Sequence, residues 1–376
     1  MFKKTIAALL AAILLTGGIT TATAAPGKDL RIIPVIVNGQ KVRFPDTEPY
    51  INTDGRTMVP VRFVSEKLGA EVKWEAATET ATIKYRDKTI KLPVGSKTVT
   101  VNDEKQELDT AAEFADGRTM VPLRFVSEVL ESKVEWDEGA HAVKVSDKAY
   151  QDLVTAGKAK LDPWGREYSK TWDPYWMKLT DLEKTGFYNV TYKSKNKSLV
   201  ESIQAWDMKT YVDQWSEHIR DYYAAQLNVD YRTINEKTFA NTLISNMTGM
   251  SSYQEGQIRD HIFEYVKWVK KNKVIAKGYA DPENSQIEGS LISGVSIRVH
   301  FKFKIISAND TAQTFLDNWN ISTNSDSYKL EKGVWYSGYS RVVLWTHYAN
   351  YKYMHYAVRS VENMFAKDAY KYEKLK

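Results

Sequence analysis

The sequence predicts an α+β protein. Three features predict it: a duplicated segment mixing helix and strand signals, amphipathic helical stretches further on, and one strand of strict two-residue alternation. The chain is 376 residues long with formal charge +5 and no cysteine. Disulfides, thiolate metal sites and a Cys nucleophile are thereby excluded.

In chain order, residues 1–24 come first. Lys3 and Lys4 open the chain, Ile6 to Leu15 is apolar, and Ala22-Thr23-Ala24 supplies small residues for cleavage. This is the pattern of a secretory signal peptide. The apolar run is shorter than the roughly 20 residues that span a bilayer, and no second such run follows. The expected product is secreted or extracellular and wall-associated, with no transmembrane segment after cleavage.

The strongest signal is internal. Asp54 begins DGRTMVPVRFVSEKLGAEVKWE and Asp116 begins DGRTMVPLRFVSEVLESKVEWD, identical at 15 of 22 positions and offset by 62. Such self-similarity marks two copies of one supersecondary unit. Asp54-Gly55 and Asp116-Gly117 are turn dipeptides. Pro60 and Pro122 suit the first position of a helix, in which Val61, Val64 and Leu68, or Leu123, Val126 and Leu130, make one stripe. Gly69 suits a left-handed stop; the second copy has Glu131-Ser132 there, so a different cap is expected. Glu71 to Trp74, Ala81 to Tyr85, Thr89 to Leu92 and Thr98 to Val101 read as short strands. Val37-Asn38-Gly39 and Val101-Asn102-Asp103 give each copy a similar approach.

The GRT-M-VP-[VL]-RFVSE signature with its V-x-W strand resembles the copper amine oxidase N-terminal-domain-like module, or stalk domain, over residues 34–147. The resemblance implies a small α+β attachment or spacer module in tandem. It does not imply copper chemistry. The catalytic domain of those oxidases would need Tyr in an Asn-Tyr-Asp/Glu setting and an H-x-H pair. Here Asn350-Tyr351-Lys352 lacks the acid and no two His are two apart. No cofactor and no metal site are expected. The repeated polar residues, Arg56/Arg118 and Arg62/Arg124 among them, read either as an anion grip or, more economically, as Arg-acid pairs that fix helix against sheet.

From Lys148 the composition shifts: nine of the eleven Trp lie beyond it. Residues 148–160 read as a linker helix and 161–376 as a larger α+β domain. Helical patterns run from Leu199 to Leu227 and from Gln254 to Lys271. Val295, Ile297, Val299, Phe301, Phe303 and Ile305 alternate with Ser296, Arg298, His300, Lys302 and Lys304, giving a strand with an apolar and a basic face. Ile287 to Ile292 is expected to pair with it across Ser293-Gly294. Gly333 to Leu344 reads as another strand and Asn350 to Phe365 as a terminal helix.

Three constellations carry chemistry. Asp213, Glu217, His218, Asp221, Asp260 and His261 could serve acid–base catalysis, which leaves a wall-glycan hydrolase as the alternative function. Trp335, Tyr336 and Tyr339 could stack on sugar rings. Arg298, Lys302 and Lys304 could attract an anionic wall polymer. No basic stripe dense enough for nucleic acid exists, and no Walker A, GxSxG or GxGxxG motif. The reading is therefore a secreted, non-enzymatic, envelope-associated protein that binds a cell-wall polymer or glycan through Arg298, Lys302, Lys304, Trp335, Tyr336 and Tyr339, with no catalytic residues.

Overall fold

The computed structural model describes residues 32–168, 176–177, 192–193, 208–248, 251–290, 294–311, 330–345, 357–361 and 373–375. Residues 1–24, expected to be a signal peptide, lie outside them. The fold is α+β with several antiparallel sheets.

The duplicated module begins with a hairpin of β1 (Val35–Val37) and β2 (Gln40–Lys41). Asn38 and Gly39 turn it with φ of 48° and 72°, the paired positive values of a type I′ turn. The first copy follows: β3 (Tyr50–Ile51), β4 (Thr57–Pro60), α1 (Val61–Lys67), β5 (Glu71–Glu75) and β6 (Thr80–Tyr85). After β7 (Lys88–Pro93), a second hairpin of β8 (Thr98–Val101) and β9 (Glu104–Glu107) turns at Asn102-Asp103, again with both φ positive. The second copy comprises β10 (Glu113–Ala115), β11 (Arg118–Pro122), α2 (Leu123–Val129), β12 (Ser132–Asp137) and β13 (Ala142–Asp147).

The copies are exchanged rather than side by side. The β1-β2 hairpin that precedes the first copy completes the second copy's sheet, in the order β12-β13-β1-β2. The β8-β9 hairpin that precedes the second copy completes the first copy's sheet, β5-β6-β7-β8-β9. Between them β4 and β11 pair antiparallel, Met58 with Pro122 and Pro60 with Met120. Val59, Val64, Val121 and Val126 fill the shared core.

Two local expectations change. Pro60 and Pro122 end their strands, with extended ψ of 111° and 122°, and the helices begin one residue later. Both prolines sit in the β4-β11 ladder, which holds them extended. The second cap repeats the left-handed residue of the first, with Glu131 N donating to Glu128 O at 3.1 Å. In α1, Gly69 at φ 87° donates to Glu66 O and Ala70 to Ser65 O, a Schellman closure. In α2, Glu131 takes the left-handed position without glycine, at φ 56°, and its carboxylate pairs with Arg86 and Lys88 at 2.9 and 2.7 Å.

Helix α3 (Lys148–Thr155) is capped by Asp147 and ends before Gly157. It is shorter than the 148–160 linker read from sequence. Residues 159–168 fold back: Trp164 is 3% exposed within the C-terminal core, beside Ala140 and Ala142 of the module. A two-strand pair, β14 (Trp176–Met177) and β15 (Tyr192–Lys193), follows.

The C-terminal body packs α4 (Lys209–Gln226), α5 (Glu236–Ser245) and α6 (Ser252–Lys271) against one sheet. Helix α5 had no counterpart in the sequence reading, and the expected start of α4 at Leu199 lies outside the described residues. Ser251 and Gln254 form a capping box on α6. The sheet runs β16 (Ile275–Ser290), β17 (Gly294–Ser307), β18 (Trp335–Trp345) and β19 (Ala357–Val361), with β20 (Glu373–Lys374) also on β18. Ile287 to Ser290 pair with Ile297 to Gly294, as expected for that segment, while residues 291–293 lie outside the described residues. Residues 357–361, expected within a helix, are a strand, because Val358 is buried opposite Leu344 at the sheet edge. The rest of that expected helix lies outside the described residues.

Candidate functional site

The two-residue alternation of β17 holds. Val295, Ile297, Val299, Phe301, Phe303 and Ile305 are all buried, the aromatic pair Tyr223 and Phe301 meeting edge-on at 4.7 Å. The basic face is where the structure departs from an open polymer-binding surface. Around Lys302 it is covered by the duplicated module, and the residues brought together there form a buried ionic seam.

Lys302 is fully buried, and its ammonium donates to Asp46 O at 2.5 Å and Glu48 Oε1 at 3.1 Å. Lys41 of β2 pairs with Asp281 at 2.5 Å and Glu283 at 3.2 Å. Arg166, from the turn after α3, pairs with the other oxygen of Glu283. Arg43 donates to the Tyr339 hydroxyl and lies over its ring. His300 packs against Tyr339 and contacts the Ser337 hydroxyl at 2.7 Å. Lys41, Arg43, Glu48, Asp281, His300 and Lys302 line a cleft of about 190 Å³. Burying charge is costly unless each is paired, and here four cations face three carboxylates across the junction.

The seam depends on an irregularity. The β16–β17 register breaks between Pro282 and Ile287, and in that bulge Glu283, Asn284, Ser285 and Gln286 are all buried. A bulge re-aims side chains that the pleat would send elsewhere.

The electrostatics follow from burial. Desolvation pushes the Glu48 carboxyl up to about 7, against the pull of Lys302. Burial also drives His300 down to about 3, with Arg43 and Lys41 adding to the effect. Burial would raise Glu283 too, but Lys41, Arg166 and Arg43 hold it well below the usual carboxylate range. Asp46 is desolvated yet lowered by its hydrogen bond from Arg118.

Of the six candidate ligand residues, Lys302, Tyr336 and Tyr339 are buried. Tyr336 lies on the opposite face, stacked on Phe303, and accepts from Glu331 N at 2.8 Å. Trp335 stacks on Tyr279, with the Lys302 and Lys304 ammonium groups 5.3 and 4.8 Å from its ring. Arg298 lies opposite Arg341 in the ladder. Lys302, Tyr336 and Tyr339 are thus packed positions, whereas Arg298, Lys304 and Trp335 are half-buried.

Three of the acid–His candidates, Asp213, Glu217 and His218, are engaged by neighbouring side chains. Asp213 accepts from Trp164 Nε1 at 2.7 Å, Asn284 Nδ2 at 2.8 Å and Lys209 Nζ at 2.6 Å. Glu217 pairs with Arg220 at 2.7 Å and lies 3.5 Å from His141. His218 contacts Asn246 at 3.0 Å. Among the described residues no three His, Asp or Glu side chains converge as a metal-ligand set.

Sequence reading missed Lys41, Arg43, Glu48, Arg166, Asp281 and Glu283. Lys41 and Arg43 alternate with Val42 and Phe44, which signals a shared face; nothing in Asp281-Pro282-Glu283 signals burial.

Residues 36–145 match the family model described as Copper amine oxidase N-terminal domain. A curated relative, a protein from Brevibacillus choshinensis named "Protease inhibitor", is 30% identical over 135 residues, which is 36% of this chain. The match spans 40% of that relative's length. No solved structure matches. Among the described residues no helix is long and apolar enough to cross a membrane.

Proposed function

Residues 36–145 being a copper amine oxidase N-terminal-type module, we propose that this protein is an exported, non-enzymatic binding protein of the cell envelope. The module attaches, and it carries the C-terminal body in a fixed orientation. The observation that supports this is the buried seam. Lys41, Arg166 and Lys302 with Glu48, Asp281 and Glu283 lock the module to the sheet rather than leaving it on a tether. The test is co-sedimentation of the protein with purified cell walls at low and high salt. Pelleting that weakens with salt is expected; none at either salt overturns the reading.

A second reading follows from the relative named "Protease inhibitor". In that case the chain would suppress a secreted protease at stoichiometric concentration. A fixed amount of subtilisin-type or trypsin-type protease titrated with the protein decides it, and unchanged hydrolysis removes this reading.

A further inference from the structure

The exchanged topology creates one groove twice. In the first, Arg62 and Trp74 of the first copy face Phe114 and Arg118 of the second. In the other, Arg124 and Trp136 of the second copy face Ile51 and Arg56 of the first. Arg62 corresponds to Arg124, Trp74 to Trp136 and Arg118 to Arg56, each at the 62-residue offset. The grooves measure about 170 and 270 Å³.

Four large apolar side chains at these grooves are exposed: Trp74 by 39%, Phe114 by 58%, Trp136 by 42% and Ile51 by 51%. They make up most of the exposed large apolar side chains among the described residues, the others being Leu153, Tyr253 and Ile306. Clustering of this kind marks a contact surface rather than the scattered exposure every protein shows. Trp74 and Phe114 stack at 5.9 Å, so the first groove has a preformed aromatic wall.

Charge narrows the ligand. The module as a whole has three more acidic than basic side chains over residues 25–147, yet no carboxylate lines either groove. Arg118 is held bidentately by Asp46, and Arg56 pairs with Asp109. Arg62 is exposed with only a 3.9 Å contact to Glu66, and Arg124 is exposed with no ion-pair partner among the described residues. A flat aromatic beside an available guanidinium suits a ring that carries an acid. An added peptide strand fits less well, since the β5 edge presents Glu71, Lys73 and Glu75 to solvent.

We propose that the two grooves are equivalent binding sites for a carboxylate-bearing polysaccharide. A pyranose ring lies against Trp74 or Trp136, and its carboxylate meets Arg62 or Arg124. This rests on the envelope-binding reading only for the source of the polymer. Two sites on one module would grip a repeating chain by effective concentration.

The test is calorimetric titration of the full protein with short oligomers of hyaluronan and of polygalacturonate, with chitooligosaccharide and poly-glutamate as neutral and non-sugar controls. Two sites per chain are expected for at least one acidic glycan. Trp74→Ala and Trp136→Ala should each leave one site, and the double variant none, with circular dichroism unchanged. Arg62→Gln with Arg124→Gln should weaken binding about tenfold, the loss of one charge-assisted contact per site. Binding to neither acidic glycan, equal binding to poly-glutamate, or full binding by the double Trp variant overturns the proposal. Wall pelleting that fails while glycan titration succeeds overturns the envelope reading alone.

Discussion

Val59 and Val121 occupy the same place in the two copies and face one another in a single antiparallel ladder. A local twofold axis therefore passes between them. Each strand is flanked by its own helix, and both valines are wholly buried. The exchange of hairpins and the doubling of the grooves follow from this one pairing.

Val59→Ala and Val121→Ala should accordingly cost similar amounts, about 2 kcal/mol each, from lost burial and a residual cavity. Because the two side chains share a core, the double variant should deviate from additivity by at least about 0.5 kcal/mol. Urea unfolding of the single and double variants checks both. Unequal single costs would contradict the equivalence of the two sites.

Asp213 is the acceptor for three donors drawn from three places: the post-α3 turn, the β16 bulge and its own helix. Asp213→Ala leaves the Trp164 indole N–H and the Asn284 amide without this acceptor, while Lys209 keeps Asp137 at 2.8 Å. Leaving buried donors unsatisfied in this way costs about 1–3 kcal/mol each. Asp213→Asn, which keeps an acceptor but no charge, should cost less. Thermal unfolding of the two variants gives the order.

Glu283 is the seam's central carboxylate. Glu283→Gln takes the carboxylate from buried Arg166 and leaves Lys41 with Asp281 alone, so a loss of about 3 kcal/mol is expected. The module should loosen before the chain unfolds. Limited proteolysis between residues 156 and 168, compared with the wild type, reads this directly; equal cutting rates would contradict it.

Glu48 gives the seam a pH dependence. Its folded value of about 7 lies above the ordinary 4.5, so between these the folded state holds more protons than the unfolded. Stability from this group is thus full below about 4.5 and lost as pH rises through 7, by about 3 kcal/mol at most. His300 acts oppositely: its value of about 3 lies below 6.5, so its contribution is lost as pH falls from 6.5. Glu48→Gln should therefore stabilise at pH 8 and change little at pH 4. His300→Gln should flatten the acid side only. Urea midpoints at both pH values separate the two.

Much of the fold was legible in the residues. The repeat, the turns at Asn38-Gly39 and Asn102-Asp103, the Gly69 cap, helix α6 and the pleat of β17 are local, and local propensity and spacing report them. The terminal strand at Ala357–Val361 was not, because short segments take their state from the partner they pair with. Helix α5 escaped for the related reason that ten residues, Glu236 to Ser245, carry a weak pattern of their own.

What the sequence alone determined is the inventory of this protein: two copies of one unit, and a strand with an apolar and a basic face. What only the tertiary structure decided is which surfaces meet. A period of two tells that the faces of β17 differ, but not that one is covered by helices and the other, around Lys302, by Lys41, Arg43 and Glu48, more than two hundred residues away. Likewise the repeated Trp and Arg positions are visible in the chain, while the grooves they line exist only because β4 and β11 pair across the twofold. Contacts between distant segments depend on shape and desolvation, which the order of residues does not display.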